Sequence, residues 1–365
     1  MQGSTSYRLF SPEELSNFLL HFKTMMGPYG LYQHATKRVP LLSEGYCTDD
    51  NARAVQMLVY LKKLVLEEDQ AEIEDLLEKC WIFLREAEEK PGIYFNFRAA
   101  EGEWLDKDRS DDMYARLIRA LVLVIDHDTH AARQQEAREK LQRLLPVVEK
   151  LNAPRAWAEI ILALGSASEA SKAEFNVQAL IKMGVARLQQ LWKDIASVEW
   201  PWFENSMTYA NPIFPHGLLA AKADEEILHN STAFLIKATV QGDMFLPIGS
   251  EGWYPKGGKP SRNNQQAIEA GMTFDFLLDY DAVFPEKVSL AKITSPYLWF
   301  FGHNSKKIMM VDEAIGACLD GIFDHGPNPN YGAESMLAYQ WAEIRLRMAP
   351  RAVQNYIKEK RILTV

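Results

Sequence analysis

The sequence predicts an all-α fold, an (α/α)6 toroid in which six helical hairpins close into an inner ring wrapped by an outer one. Three observations carry this expectation. Apolar residues recur at the helical period along most of the chain, while strand-like alternation is scarce. The helical segments number about twelve, as six hairpins require. Their character also alternates between amphipathic and largely apolar, as outer and inner layers would demand. No Gly/Ser linker or charge run divides the chain, so residues 1–365 are expected to form a single toroid domain.

In chain order, helices are expected at about 11–26, 49–66, 71–89, 111–126, 130–150, 153–165, 173–195, 213–223, 225–240, 264–280, 286–302 and 332–348. The first, third, fifth and seventh are charged on one face, as in "AEIEDLLEKCWIFLREAEEK" and "AARQQEAREKLQRLLPVVEK", which suits the outer ring. Even members such as "ARAVQMLVYL", "ARLIRALVLVI" and "AWAEIILALGSA" are apolar or rich in small residues and read as inner helices. An open solenoid is the other common arrangement of helical hairpins, but no short self-similar repeat is present.

Composition narrows the function. With 47% hydrophobic and 24% charged residues the chain is ordinarily globular, and a net charge of −9 argues against nucleic-acid and anionic-membrane surfaces. No window reaches the roughly 18 apolar residues of a membrane span. The start, "MQGSTSYRLFSPEEL", lacks the pattern of a secretory signal, and Cys47, Cys80 and Cys318 are scattered, as reduced thiols would be. A cytoplasmic location is therefore expected, with no metal and no cofactor. The nine Trp and fourteen Tyr, many of them in polar loops, point towards a carbohydrate or small-molecule site.

The approaches to the inner helices repeat one chemistry. The second helix opens with "CTDDNAR", holding Asp49, Asp50 and Arg53. The fourth opens with "RSDDMYAR", holding Asp111, Asp112 and Arg116. "EWPWFENSMTYANP" precedes the eighth and offers Trp200, Trp202, Glu204, Asn205, Tyr209 and Asn211. The tenth opens with "RNNQQAIEAG", including Arg262, Gln265, Gln266 and Glu269, and the twelfth with "NPNYGAES", including Tyr331, Glu334 and Ser335. In a closed ring these segments converge on one end. The result is a pit of carboxylates, amides, arginines and flat aromatics, a mixture that suits a sugar.

The carboxylates are the candidate catalysts. In a six-hairpin ring Asp50 would face Glu204 and Asp112 would face Glu269, and an inverting glycosidase needs its two carboxyls about 6.5–9.5 Å apart. Asp50 with Glu204 is the first expected pair and Asp112 with Glu269 the second, without assignment of acid and base. Trp202, Tyr209 and Trp253 are expected as stacking walls. Arg53, Arg116, Asn211 and Gln266 are expected to hold hydroxyls, with Asp49, Glu334 and His34 as further substrate contacts.

Each residue also has a structural reading. Thr48 suits an N-cap, Asp49 and Asp111 suit first-turn caps or arginine partners, and Arg53 and Arg116 lie at ion-pair spacing from their own aspartates. Glu269, in the apolar stretch "QQAIEAGM", must be salt-bridged or functional, because an unpaired buried carboxylate is costly. Trp157, Trp192 and Trp341, within helices, read as packing. There is no HExxH, CxxC, P-loop or GxSxG motif, and "YPKGGKP" is a turn with only a weak phosphate-binding character.

The segments "GLYQHATKRVPLLSEGYCTDDNARAV", "WFENSMTYANPIFPHGLLAA", "QQAIEAG", "WFFGHN" and "NPNYGAESMLAY" resemble a bacterial and archaeal family of (α/α)6-toroid, glycoside-hydrolase-like proteins. Its members occur alone or attached to glycosyltransferases. The resemblance spans about residues 29–343 and implies a six-hairpin toroid with a role in glycan metabolism. Where that pattern has Glu-Asp-Ser-His-Gly-Arg, this chain has Asp111-Asp112-Met113-Tyr114-Ala115-Arg116, so Tyr114 replaces the imidazole.

The expected function is thus carbohydrate chemistry, first as an inverting glycoside hydrolase with a sugar or short oligosaccharide as partner. A glycoside phosphorylase, a sugar epimerase using His303 and His34, and a non-catalytic glycan-binding module serving a glycosyltransferase are the alternatives.

Overall fold

The computed structural model describes residues 9–105 and 109–362. Among them it has fourteen α-helices: α1 (Pro12–Met25), α2 (Thr48–Lys62), α3 (Gln70–Glu86), α4 (Asp111–His127), α5 (Ala131–Val148), α6 (Pro154–Ser166), α7 (Glu169–Phe175), α8 (Gln178–Ile195), α9 (Ile213–Ala221), α10 (Glu225–Thr239), α11 (Ala267–Val283), α12 (Leu290–Trp299), α13 (Ala333–Met348) and α14 (Arg351–Ile362). Twelve of these match the expected segments. The short α7 and the C-terminal α14 were not expected.

Six helices form the inner ring in the order α2, α4, α6, α9, α11, α13, and α13 packs back against α2 to close it. Outside them α3 packs on α2, α5 on α4, α8 on α6, α10 on α9, α12 on α11 and α1 on α13, with α14 against α12. The alternation read from the sequence has a direct physical cause. α11 is buried over most of its length, from Ala267 and Glu269 to Leu278 and Tyr280. An outer helix such as α3 buries one stripe, including Ile73, Leu76, Leu77, Cys80, Trp81 and Leu84, and leaves the rest in water.

Two glycines set how closely the inner helices approach. A Cβ on Gly217 of α9 would lie 2.6 Å from the carbonyl oxygen of Ala158 in α6. One on Gly271 of α11 would lie 2.7 Å from that of Ala338 in α13. The ring is narrow there because these positions carry no side chain.

The strands are pieces of two or three residues, all antiparallel, in the loops that lead into inner helices. Tyr46–Cys47 pairs with Phe97–Arg98, Ser206–Met207 with Tyr254–Pro255, and Gln265–Gln266 with Gly321–Phe323. They fasten the approaches of neighbouring hairpins to one another at a single end of the ring. The cap of α2 differs from expectation. Cys47, not Thr48, is the N-cap, its sulfur accepting the Asp50 amide at 3.4 Å, while Thr48 donates its hydroxyl to the Phe95 carbonyl. No helix among the described residues is long and apolar enough to cross a membrane.

Candidate active site

A cavity of about 280 Å³ opens where the inner helices begin. α2 contributes Arg53, α4 Arg116 and α13 Glu334; the loop before α9 gives Tyr209 and Ala210, and the approach to α11 gives Ser250, Trp253 and Gln266. The sequence expectation of one polar mouth built from several helix starts therefore describes a real cavity. Six of the residues named from the sequence line it: Arg53, Arg116, Tyr209, Trp253, Gln266 and Glu334.

Arg53 organises one wall. It donates to Asp50 at 2.9 Å, one turn before it on the same helix, and reaches Glu334 of α13 at 2.9 Å. Asp50 is buried and also receives the Cys47 thiol at 3.1 Å. Burial pushes the Asp50 carboxyl above its usual range, and the Glu334 charge adds to this while Arg53 opposes it. Behind the pair lies Asp320, which accepts from the Asn328 amide at 3.2 Å. Burial first, then the charges of Glu334 and Asp50, push Asp320 up to about 6, against the pull of His34 and Asn330. Two carboxyls thus share one guanidinium, and a third stands beside them. His34, expected as a substrate contact, instead meets the Asn330 side chain at 3.1 Å beside this group and does not line the cavity.

Arg116 organises the next wall. It bonds Asp49 at 2.7 Å and lies 4.0 Å from Asp112 and 3.9 Å from Glu159. Burial raises Asp49, but Arg116 and Arg53 outweigh it and leave the carboxyl below its usual value. Asp49 is an arginine partner here, as its structural reading held, with Asn96 as a second donor. Asp112 accepts the Tyr209 hydroxyl at 2.9 Å. Burial and then the Asp112 charge push the Tyr209 phenol up to about 12, so it stays a donor at neutral pH. Asp111 has turned away from the cavity to cap the amides of Asn152 and Ala153, at 2.7 and 2.8 Å.

Several expected roles need correction. Trp202 is not a stacking wall. It is 0% exposed and packs edge-on against Phe203 and Phe214, because the Pro- and Asn-rich loop folds its indoles inward. Trp200 is buried too and donates to the Glu204 carbonyl at 2.7 Å. Glu204 does not face Asp50 across open space. Both of its oxygens are held by the Arg155 guanidinium at 2.8 Å, an ion pair that fixes this loop to α6. Nor does Glu269 look out at Asp112. It is 2% exposed and accepts from the amides of Ala210 and Asn211 and from the Asn211 side chain at 2.9 Å. Burial pushes it up to about 7, with those donors opposing. Asn211, fully buried, is accordingly a partner of Glu269 and Thr208 and not a hydroxyl contact. Arg262 clamps the Ala238, Leu246 and Pro247 carbonyls, and Gln265 bonds Arg262 and Ser305.

Below the pit the lumen continues. Arg53, Arg116, Ala210 and Ile268 separate it from a smaller chamber of about 70 Å³ floored by Met57, Met272 and Leu337. Trp341, expected as packing, lines this chamber and the next one, towards the far end of the ring. The far chamber is closed by paired charges: Arg345 bonds Asp275 at 2.8 Å and also Asp279, and His216 meets Asp279 at 2.9 Å. The two histidines expected of an epimerase keep different company. His34 is with Asn330, whereas His303 interacts with Lys360 of α14 on the outside of the ring, and burial then Lys360 charge hold its pKa low.

Sequence reasoning missed Arg155, Glu159, Asp320 and Ser250. The first two sit at the start of α6, in "NAPRAWAE", the one inner-helix approach passed over. Applying the same rule there finds both. Asp320 lies in the turn "LDGIFDHG", whose only signal is that it must return the chain to α13.

A scan against protein-family models gives no match, and neither does a sequence comparison with curated proteins. Solved structures do match. A sugar epimerase from a ruminal bacterium superposes with a TM-score of 0.67 at 12% identity, over 93% of this chain and 98% of that one. The cellobiose 2-epimerase from Spirochaeta thermophila gives 0.65 at 12% identity, over 91% and 92%. The cellulase of C. cellulolyticum gives 0.58 at 8% identity, over 88% and 87%. At such identities the likeness establishes the fold, and the chain is an (α/α)6 toroid.

Proposed function

We propose that the chain is a carbohydrate-active enzyme that holds a sugar or short oligosaccharide in the mouth pit and cleaves a glycosidic bond there, as an inverting glycoside hydrolase. The observation that carries this reading is the pair of carboxyls, Asp50 and Glu334, that share the Arg53 guanidinium at 2.9 Å, with a third carboxyl, Asp320, near enough for both their charges to act on it. Like charges this close hold a proton that isolated carboxylates would release. Glu334 is the member at the cavity wall, its side chain 40% exposed. It is the outlet through which the group gives that proton to the glycosidic oxygen.

Asp112 supplies the other half. It stands at the start of α4, with α2 between it and Glu334 in the ring, oriented by the Tyr209 hydroxyl, and accepts a proton from the attacking water. The water oxygen bonds to the anomeric carbon. The bond to the leaving oxygen breaks with its electron pair on that oxygen, which takes the proton from the Glu334 group. Tyr209 and Trp253 offer flat faces to the sugar, while Gln266 and the arginines hold hydroxyls. The shared fold with enzymes named for cellobiose and cellulose chemistry supports a sugar as ligand.

A second reading is epimerisation, in which the same carboxyls take and return a proton at a sugar carbon. It is favoured by the names of two of the three compared structures. Chromatography of purified protein with α- and β-linked gluco- and manno-oligosaccharides, with and without phosphate, tests the choice. Shorter products without phosphate are expected. Products of unchanged length and altered configuration would establish the second reading, and a phosphate requirement would make the chain a phosphorylase. Calorimetric binding with no product would leave a glycan-binding module.

A further inference from the structure

We propose that the pit selects uncharged or cationic sugars and rejects uronates and phosphorylated sugars, because its cations are already engaged and its carboxylates outnumber them. This rests on the carbohydrate reading and adds the class of substrate to it.

Among the described residues lining the pit, Arg53 and Arg116 are the cations. An arginine pair at a pit wall is ordinarily the signature of a carboxylate or phosphate site. Here neither is available. Arg53 already has Asp50 and Glu334, each at 2.9 Å. Arg116 has Asp49 at 2.7 Å, with Glu159 at 3.9 Å and Asp112 at 4.0 Å. Around them, Glu159 is shared with Arg119 at 3.8 Å, and Arg155, paired with Glu204, lies 4.5 Å over the Tyr209 ring. With Asp320 beside Glu334, seven carboxyls stand against four guanidiniums, and His34 is the further titratable base beside them. If Asp320 and one more carboxyl keep their protons, the acids still outnumber the arginines by five to four.

An anionic ligand would have to displace Glu334 from Arg53, leaving that carboxylate unpaired, or lie against the excess of negative charge. Both are like-charge contacts in a partly desolvated cavity, where they are expensive. The same excess favours positive charge. A glycosidic transition state develops that charge on the sugar ring, so the field that rejects anions also assists the reaction. It equally disfavours phosphate as the attacking group.

The test is isothermal calorimetry with matched gluco-, manno- and galacto-configured sets. Each set holds the neutral methyl glycoside, the corresponding uronate, the 6-phosphate and the iminosugar amine, at low and high salt. In the configuration that binds, the uronate and the 6-phosphate should be about tenfold or more weaker than the neutral sugar. The amine should be tighter, and high salt should shrink both differences. Glu334→Gln should narrow the gap between neutral sugar and uronate several-fold, while Glu78→Gln, whose Arg133 pair lies between the outer helices α3 and α5, should leave it unchanged. Uronate or sugar phosphate binding as tightly as the neutral sugar would overturn the inference while the carbohydrate reading stands. Failure of every set to bind would overturn both.

Discussion

Glu334 meets Arg53 at 2.9 Å, and this ion pair ties the last inner helix to the first at the open end of the ring. It is where the closure of the fold and the proposed chemistry meet. Four predictions follow from this arrangement and from the packing that supports it.

The two tryptophans expected as stacking walls should separate cleanly. Trp202 is core, so Trp202→Ala should cost about 3–5 kcal/mol of stability in urea unfolding. Trp253 lines the pit, so Trp253→Ala should keep the wild-type stability to within about 1 kcal/mol and weaken sugar binding. Equal destabilisation by both would show that Trp253 is packing as well.

Glu269 gives stability a definite pH dependence. Its folded pKa, about 7, lies above the usual 4.5, so the folded state keeps this proton longer than the unfolded one. The group's contribution is complete below about 4.5 and falls as pH rises towards 7. Glu269→Gln has no such proton. Wild-type stability relative to that variant should therefore drop by about 2–3 kcal/mol between pH 4.5 and 7.5, read from denaturant midpoints at each pH. A constant difference would refute the assignment.

Asp128 has the opposite sign. Its carboxylate and the Arg133 guanidinium are both inaccessible, and Arg133 also bonds Glu74 and Glu78 at 2.7 and 2.8 Å. Burial raises Asp128, but Arg133 and the Thr129 and His130 amides outweigh it and hold the carboxyl below its usual 3.8. Its stabilisation is present above that value and lost as pH falls through the lower folded pKa. Asp128→Ala should cost about 1–3 kcal/mol at neutral pH, because it removes one partner of Arg133 and the acceptor of the Thr129 and His130 amides while Glu74 and Glu78 still hold the arginine. Most of that loss should vanish in strongly acidic solution.

The ring was legible because helical period and the alternation of layers are local, repeated signals. The polar mouth was legible for the same reason: Asp50, Asp112 and Glu334 stand within the first turns of inner helices, where topology leaves only one direction to face. What the sequence could not specify was pairing. Glu204 and Trp202 occupy a loop whose side chains go inward or outward according to partners in other hairpins, Arg155 for one and Phe214 for the other. Asp320 was hidden similarly, since its company with Asp50 and Glu334 joins residues far apart in sequence. Glu269 posed the choice of buried partner or catalyst, and the loop amides that answer it belong to α9's approach.

The central claim is that Glu334 at the pit wall and Asp112 beside Tyr209, not the carboxyls bound in the loops, turn a sugar over. The most direct measurement is kcat/KM on whichever oligosaccharide the wild type processes, for Glu334→Gln, Asp112→Asn and Glu204→Gln, with unfolding midpoints recorded beside it. Losses of about 10²–10⁴-fold in the first two, at near wild-type stability, with Glu204→Gln losing activity only in step with stability, are the predicted result. Full activity in Glu334→Gln and Asp112→Asn, with a specific loss in a stably folded Glu204→Gln, would contradict the account.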